Sequence, residues 1–250
     1  MLSKAMAGVF LHASDNSEAR GRLIDILRLE GLGKWLATEI DVEGIAERAK
    51  TFFGAMQNKK ELSSFLRFLH SRKPRTVVEI GTARGGNLFA MAQVADVRGL
   101  IVSIDLPGGR YGGGASSDEL PAFESFRRPG QRFEFIRSPS GFHDTWQFLK
   151  SLLGRRRIDL LYIDGDHSYG GALADFEMYR SLVSRGGCVA FHDILMTSKE
   201  FGEGNDVGLL WRRLKKDYRT REFIDRSSVV AKKFERGKSR SWGIGVLMLG

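Results

Sequence analysis

The chain has 250 residues, 42% of them apolar, enough to bury a sizeable core in one large domain or a domain with an appendage, and no run approaches the roughly 20 apolar residues that span a bilayer. Its one cysteine, Cys188, excludes an internal disulfide and fits a reducing, cytoplasmic setting. The formal net charge of +9 comes largely from "FRRPGQR", "GRRR", "WRRLKKDYRTR" and "KKFERGKSR", which lack the aromatic interleaving of a single-strand binding surface; solvated faces are expected, weak attraction to an anionic substrate or membrane surface is compatible, and no nucleic-acid partner is expected.

The opening "MLSKAMAGVFLHAS" carries a short apolar stretch whose flanks do not suit a secretion signal. "ARGRLIDILRLEGLGKWLATEI", "VEGIAERAKTFFGAMQ" and "KKELSSFLRFLHS" repeat apolar residues at three- and four-residue intervals, as helices do, until Pro74 breaks the run. The period then changes. "TVVEIG" is a short strand followed by a glycine-rich turn and the helical "NLFAMAQVA"; further strands are expected at "GLIVSIDL", "RFEFIRSPS", "IDLLYI" and "GGCVAF", with "ALADFEMYRSLVS" and "VGLLWRRLKKDY" helical. Apolar strands alternating with amphipathic helices predict βαβ units around a parallel sheet covered on both faces. "REFIDR" and "WGIGVLML" read as closing strands, antiparallel because no helix joins them. The predicted layout is a helical N-terminal cap over residues 1–72 and one doubly wound α/β domain over 73–250.

In such a sheet ligands bind beyond the carboxyl ends of the strands. In "VVEIGTARGGNL", Gly81 permits a tight turn, and Gly85 and Gly86 let a helix N-terminus approach a ligand. Ala83 stands where G-x-G-x-x-G needs its middle glycine, which weakens a dinucleotide reading. Glu79, inside the first strand end, must accept hydrogen bonds or meet a cation. Asp105 ends the next strand, 24 residues after Gly81, where an acid can hold both ribose hydroxyls. Together they favour a nucleoside site over two caps, without separating NAD from a sulfonium.

"LLYIDGDHSY" raises a second question. A buried strand runs into Asp164, Asp166 and His167, which suits a turn and helix cap or a metal and proton-transfer site. Asp164 and Asp193 close neighbouring strands, so their carboxylates can meet around one ion; two carboxylates suit Mg²⁺, and His192 shifts preference toward Mn²⁺, Fe²⁺ or Zn²⁺. The alternative for His192–Asp193 is an Asx-type turn with an outward imidazole. His167, with an ordinary pKa of about 6.5, suits acceptance of a hydroxyl proton; its alternative is a helix cap. Asp166, beside Gly165, reads as a turn residue.

The segments "VVEIGTARGGNLFAMA", "VSIDLPGG", "DLLYIDGDHSYGGALADFEMYRSLVSRGGCVAFHDI" and "NDVGLLWRRLK", within about residues 57–215, resemble class I S-adenosylmethionine-dependent methyltransferases, and most of all the branch containing macrolide-sugar O-methyltransferases and cephalosporin hydroxylase-like proteins. The resemblance implies a Rossmann-like, mostly parallel seven-stranded sheet with an antiparallel last strand. It also implies S-adenosylmethionine as cofactor, with Glu79 and Gly81 near its methionine part, Asp105 at the ribose, Ser138 near the adenine, and Gly85 and Asp164 also on the cofactor side. Asp164, His192 and Asp193 take the positions of a divalent-metal site, His192 departing from the usual acid, and His167 that of the general base. Gln57 matches a polar position near the cofactor, or is an ordinary exposed Gln. Tyr169 borders the substrate or packs; "PGGRYGGGASSDELP" is a lid or a surface insertion; His143–Asp144 starts a helix; Cys188 is structural. The implied reaction is O-methylation of a hydroxyl on a sugar or glycosylated small molecule. The alternatives are a metal-dependent hydroxylase-like enzyme and a non-catalytic domain of the same fold. Homo-oligomerisation is left open.

Overall fold

The structure, a computed structural model, describes residues 41–108, 120–201, 204–230 and 240–250. The opening stretch, the first predicted helix, the middle of the glycine-rich loop and nearly all of "KKFERGKSR" lie outside the described residues.

Two helices precede the sheet. In α1 (Val42–Thr51) the Asp41 side chain accepts the Gly44 N–H at 3.0 Å, a polar N-cap. The predicted helix over this segment stops at Thr51, and Gly54 then turns in the left-handed region (φ 68°), sending the chain toward the cleft with Gln57 on it. Helix α2 (Lys59–Arg72) is capped by Asn58 and ends at Lys73 in a left-handed conformation, immediately before Pro74 as the sequence requires.

Then come β1 (Thr76–Ile80), α3 (Gly86–Val94), β2 (Leu100–Asp105), the short α4 (Leu120–Glu124), β3 (Arg132–Arg137), α5 (His143–Leu153), β4 (Ile158–Ile163), α6 (Tyr169–Tyr179) and β5 (Val183–His192). They are followed by the short α7 (Ser198–Phe201), α8 (Val207–Leu214), β6 (Arg219–Phe223), the two-residue pair β7 (Val229–Val230) and β8 (Arg240–Ser241), and β9 (Ile244–Met248). Seven strands form one sheet in the order β3-β2-β1-β4-β5-β9-β6, with β9 antiparallel to both neighbours and the other pairings parallel. The closing strand predicted at "REFIDR" starts earlier, at Arg219, because its register on β9 pairs Arg219 with Met248 and Phe223 with Ile244.

Period-two alternation divides the core. Val77, Ile101, Leu160 and Val246 face α1, α2 and α3, so the described part of the N-terminal helices belongs to the same core as the sheet. Val78, Val102, Leu161 and Leu247 face the layer of α5, α6 and α8. Cys188 is buried in the first set, as a structural residue would be. Strands β1 and β4 stay paired to their tips, Ile80 opposite Ile163, but the chain beyond β1 passes to α3 on one face of the sheet and the chain beyond β4 to α6 on the other. A crevice opens there by construction.

Candidate active site

Two cavities meet at this switch point. The larger, about 460 Å³, is lined by Ile104, Asp105, Leu106, the Ser138–Gly141 turn and Gly165–Asp166. The smaller, about 220 Å³, is lined by Gln57, Thr82, Arg84, Asn87, His167, His192, Asp193, Asn205 and Trp242 among others. Gly81, Ala83 and Asp164 border both.

Gly81 makes the junction. Its N–H donates to the Ile104 carbonyl at 2.9 Å, its φ is 86°, and a Cβ there would lie 2.2 Å from the Asp164 carbonyl oxygen. Gly85, also left-handed at φ 82°, is the residue before α3, and a Cβ on it would meet the Phe123 ring. Asp105 braces the same turn: its Oδ2 accepts the N–H groups of Thr82 at 3.0 Å and Ala83 at 2.7 Å, and its Oδ1 that of Leu106 at 2.7 Å. Its carboxylate therefore both shapes the glycine turn and faces the larger cavity. Across that cavity, the Ser138 hydroxyl accepts from Thr145 Oγ1 at 2.8 Å. Glu79 stands one layer behind the wall, fully buried, between Ser103 on β2 and Tyr162 on β4. Burial pushes its carboxyl well above the usual range, against the pull of the Thr82 hydroxyl that donates to it at 2.9 Å.

The smaller cavity holds the ionisable cluster. His192 Nδ1 lies 3.2 Å from Asp164 Oδ1 and 3.0 Å from Asp193 Oδ1. His167 spans the same two acids, its Nε2 3.3 Å from Asp164 Oδ1 and its Nδ1 3.3 Å from Asp193 Oδ2. Burial works against charge on each. For Asp164 the charge of His192 and hydrogen bonds from both imidazoles outweigh it and hold the carboxyl at about 2. For His167 the hydrogen bond and charge of Asp164, with the charge of Asp193, outweigh it and raise the imidazole to about 9. His192 is likewise raised well above its usual value, burial being overcome by Asp193 and Asp164.

Local structure explains the convergence. The outward imidazole expected of a simple turn at His192 is corrected: only 6% exposed, the ring ends β5 pointing inward. Asp193 follows with φ 60°, a left-handed turn that redirects its carboxylate into the cleft. The helix-cap alternative for His167 is also corrected, since Ser168 caps α6 by accepting the Gly171 N–H at 3.0 Å. Asp166 fixes the turn, accepting the Ser168 N–H at 2.8 Å. Gln57, taken as either site-lining or exposed, is 2% exposed, and its Nε2 donates to Asp164 Oδ2 at 3.1 Å. Tyr169 packs against the core and accepts a hydrogen bond from Arg213 at 2.8 Å, away from both cavities. His143 starts α5, as expected.

Sequence reasoning missed Asn205 and Trp242. Asn205 Nδ2 donates to Asp193 Oδ2 at 2.6 Å and lies 3.4 Å from His167 Nδ1. The neighbouring Asp206 N–H donates to the His167 carbonyl at 2.9 Å, joining the two segments. The only signal was "ND" before a helix, which reads as a cap.

Two aspartates and two imidazoles, once the imidazoles lose their protons, are a donor set suited to Mn²⁺, Fe²⁺ or Zn²⁺ more than to Mg²⁺. Among the described residues, no group of three or more His, Cys, Asp or Glu side chains is arranged as a formed metal centre. The four engage one another as ion pairs, while His192 Nε2 is buried without a hydrogen-bond partner. The donor types fit an ion; the ion itself is a matter for proposal. Among the described residues no helix is long and apolar enough to cross a membrane.

Comparison with known proteins gives the context. Residues 78–194 match the family described as a methyltransferase domain. An uncharacterized protein of Acanthamoeba polyphaga mimivirus is 32% identical over 118 residues, 47% of this chain and 51% of that protein. An uncharacterized protein of Sinorhizobium fredii is 26% identical over 137 residues, 54% of this chain and 15% of that protein. The chain thus spans about half, or much less, of the curated relatives it matches. Three solved structures share the fold. A putative caffeoyl-CoA O-methyltransferase from Staphylococcus aureus has a TM-score of 0.55 at 14% identity, covering 92% of this chain and 99% of that one. An O-methyltransferase of tomaymycin synthesis from Streptomyces achromogenes, solved with S-adenosylmethionine, has 0.52 at 16%, covering 88% and 94%. An O-methyltransferase from Bacillus cereus, solved with S-adenosylhomocysteine, has 0.51 at 15%, covering 88% and 96%. Residues 78–194 therefore resemble a methyltransferase domain, and the chain has the fold of these O-methyltransferase structures.

Proposed function

We propose that the chain is an S-adenosylmethionine-dependent O-methyltransferase whose acceptor is a hydroxyl of a sugar or glycosylated small molecule. The observation that carries the reading is His167, suspended between Asp164 and Asp193 in the smaller cavity and adjoining a larger cavity across Gly81. The match of residues 78–194 to a methyltransferase domain supports methyl transfer; the sugar acceptor rests on the sequence resemblance alone.

On this reading Gly81, Asp105 and Ser138 hold the cofactor, Gln57 and Gly85 its methionine side, and the bound cofactor supplies a methyl group on a cationic sulfonium. The glycine turn brings backbone close to the ligand, and Asp105 keeps that turn rigid, so alignment and water exclusion provide much of the rate. His167 takes the acceptor's proton. Between the two carboxylates it keeps its own proton up to about pH 9, so it must first release it; positive charge arriving nearby disfavours the imidazolium and pushes the proton off. Asp164 and Asp193 flank the ring at its two nitrogens; on this reading one carboxylate keeps its hydrogen bond to the ring and stabilises the imidazolium, while the nitrogen facing the other turns to the acceptor and takes its proton. Asp164, His192 and Asp193 are proposed to hold a divalent cation, which when bound would lower the acceptor hydroxyl's pKa.

The presence of both His167 and His192 beside Asp164 favours a second reading, since two histidines and a carboxylate are the usual ligands of non-haem iron oxygenases. Titration calorimetry with S-adenosylmethionine and with NAD, each with and without Mg²⁺ or Mn²⁺, separates the cases. S-adenosylmethionine should bind and NAD should not. His167→Ala should leave cofactor affinity within about threefold and lower methyl transfer by roughly 10²–10⁴. Turnover equal to the parent enzyme would remove His167 as the base, and failure to bind S-adenosylmethionine would remove the whole proposal.

A further inference from the structure

Helix α2 opens on Asn58, whose side chain accepts the Lys60 N–H at 2.9 Å, and Glu61 follows in its first turn. Glu61 is only 1% exposed, and a carboxylate that deep is costly unless donors meet it. Four do, all from the far end of the chain. The Asp225 N–H at 2.9 Å and the Ser241 hydroxyl donate to Oε1. The Gly243 N–H at 3.0 Å and the Trp242 N–H at 3.3 Å donate to Oε2.

The segment so held reaches the active site twice. Trp242 lines the smaller cavity, its ring centroid 6.4 Å from that of His192. Its carbonyl accepts the Leu195 N–H at 3.0 Å, and the Gly243 carbonyl accepts that of Ile194 at 3.5 Å. Ile194 and Leu195 directly follow Asp193, whose left-handed conformation aims its carboxylate at His167. Gly243 packs tightly here as well, since a Cβ on it would lie 2.7 Å from Ile194 Cγ1. One buried carboxylate thus grips the peptide that forms one wall of the cavity and backs the turn carrying Asp193.

We propose that Glu61 is a positioning residue for the acceptor side of the cleft: its four hydrogen bonds fix Trp242 as the wall the acceptor lies against and brace the turn behind Asp193. Naming that side the acceptor's rests on the function proposed above; the brace itself does not. Glu61→Gln keeps the side chain's shape but turns an NH₂ group toward backbone donors, so part of the grip is lost.

Amide hydrogen exchange tests the brace without any turnover. Glu61→Gln should speed exchange at Ile194, Leu195, Trp242 and Gly243 by about tenfold or more and leave β1 and β4 unchanged. Ser241→Ala, which removes a single donor, should act on the same amides more weakly. Equal acceleration across the sheet, or none at those four positions in either variant, overturns the proposal. Kinetics test the acceptor assignment: Glu61→Gln should raise acceptor KM about tenfold with cofactor Kd within about twofold, and its effect should be non-additive with Trp242→Ala. Additive effects, or parallel losses in cofactor affinity and acceptor KM, would refute it. If the unaltered protein transfers no methyl group, the proposed function falls while the exchange measurement still decides the brace.

Discussion

At the scale of single residues, the ionisable groups of the cleft are set by partners that overcome burial, whereas Asp175 isolates burial itself. It lies on α6 at 3% exposure, with Oδ2 lacking a hydrogen-bond partner. Burial pushes its carboxyl from 3.8 up to about 6, against a hydrogen bond from Ser140. The folded state therefore binds this proton more tightly than the unfolded chain. Below pH 3.8 both states are protonated and nothing is lost; between 3.8 and about 6 stability falls as pH rises, and above that the full penalty persists. Two pKa units correspond to about 3 kcal/mol. Asp175→Asn should raise stability at pH 7.5 by about 1–3 kcal/mol and flatten its decline between pH 4 and 6. Urea unfolding across that range checks this, and an unaltered slope would count against the assignment. The same scale shows what a sequence reveals of a site. Asp164, His167 and Asp193 announce themselves because polar residues end apolar strands. Gln57 and Asn205 do not, because an amide in a loop carries no pattern until the fold brings it against a carboxylate. The direction of the His192 ring was equally hidden, being decided by the turn at Asp193 rather than by any neighbour in sequence.

Elements were more legible, because periodicity is a physical requirement of burial. Strands over "TVVEI", "LIVSID" and "IDLLYI" and the antiparallel pairing at the end follow from β-branched runs and from the missing connecting helix. Boundaries were less so. Helix α1 stops short of its apolar pattern because Gly54 turns the chain, and β6 starts early because its partner β9 sets the register. Contact between elements depends on one position above all. Gly81→Ala would have to hold a φ of 86° and a Cβ 2.2 Å from the Asp164 carbonyl, forcing the tips of β1 and β4 apart. The expected cost is about 2–4 kcal/mol, with cofactor affinity weakened by more than about tenfold. Gly154→Ala supplies the control: its backbone (φ 56°, ψ −112°) strains any Cβ, but nothing lies within 4 Å of the new atom. That variant should lose about 1–3 kcal/mol from strain alone and bind normally. Equal losses of cofactor affinity in the two would mean that strain, not the strand-tip contact, governs Gly81. Thermal unfolding and calorimetry together make the comparison.

For the molecule as a whole, the cleft draws its walls from Gln57 to Trp242, so its occupant touches nearly every layer of the fold. A ligand that spans the switch point links the loop after α1, the tips of β1, β2 and β4, and the turn beyond β5. Such a ligand binds the folded chain and finds no site on the unfolded one. At one hundred times its Kd it should stabilise the protein by about 2.7 kcal/mol. For a chain of this size each kcal/mol moves the midpoint by about 2–4 °C, so S-adenosylmethionine should raise Tm by about 5–10 °C. NAD should not, since Ala83 occupies the place of the middle glycine that close approach of a pyrophosphate requires. Differential scanning fluorimetry over a concentration series measures both shifts. The Gly81→Ala chain should lose the shift along with its affinity, while Gly154→Ala should keep it in full. An equal rise with NAD would move the nucleoside reading from a sulfonium to a dinucleotide, and with it the chemistry assigned to His167.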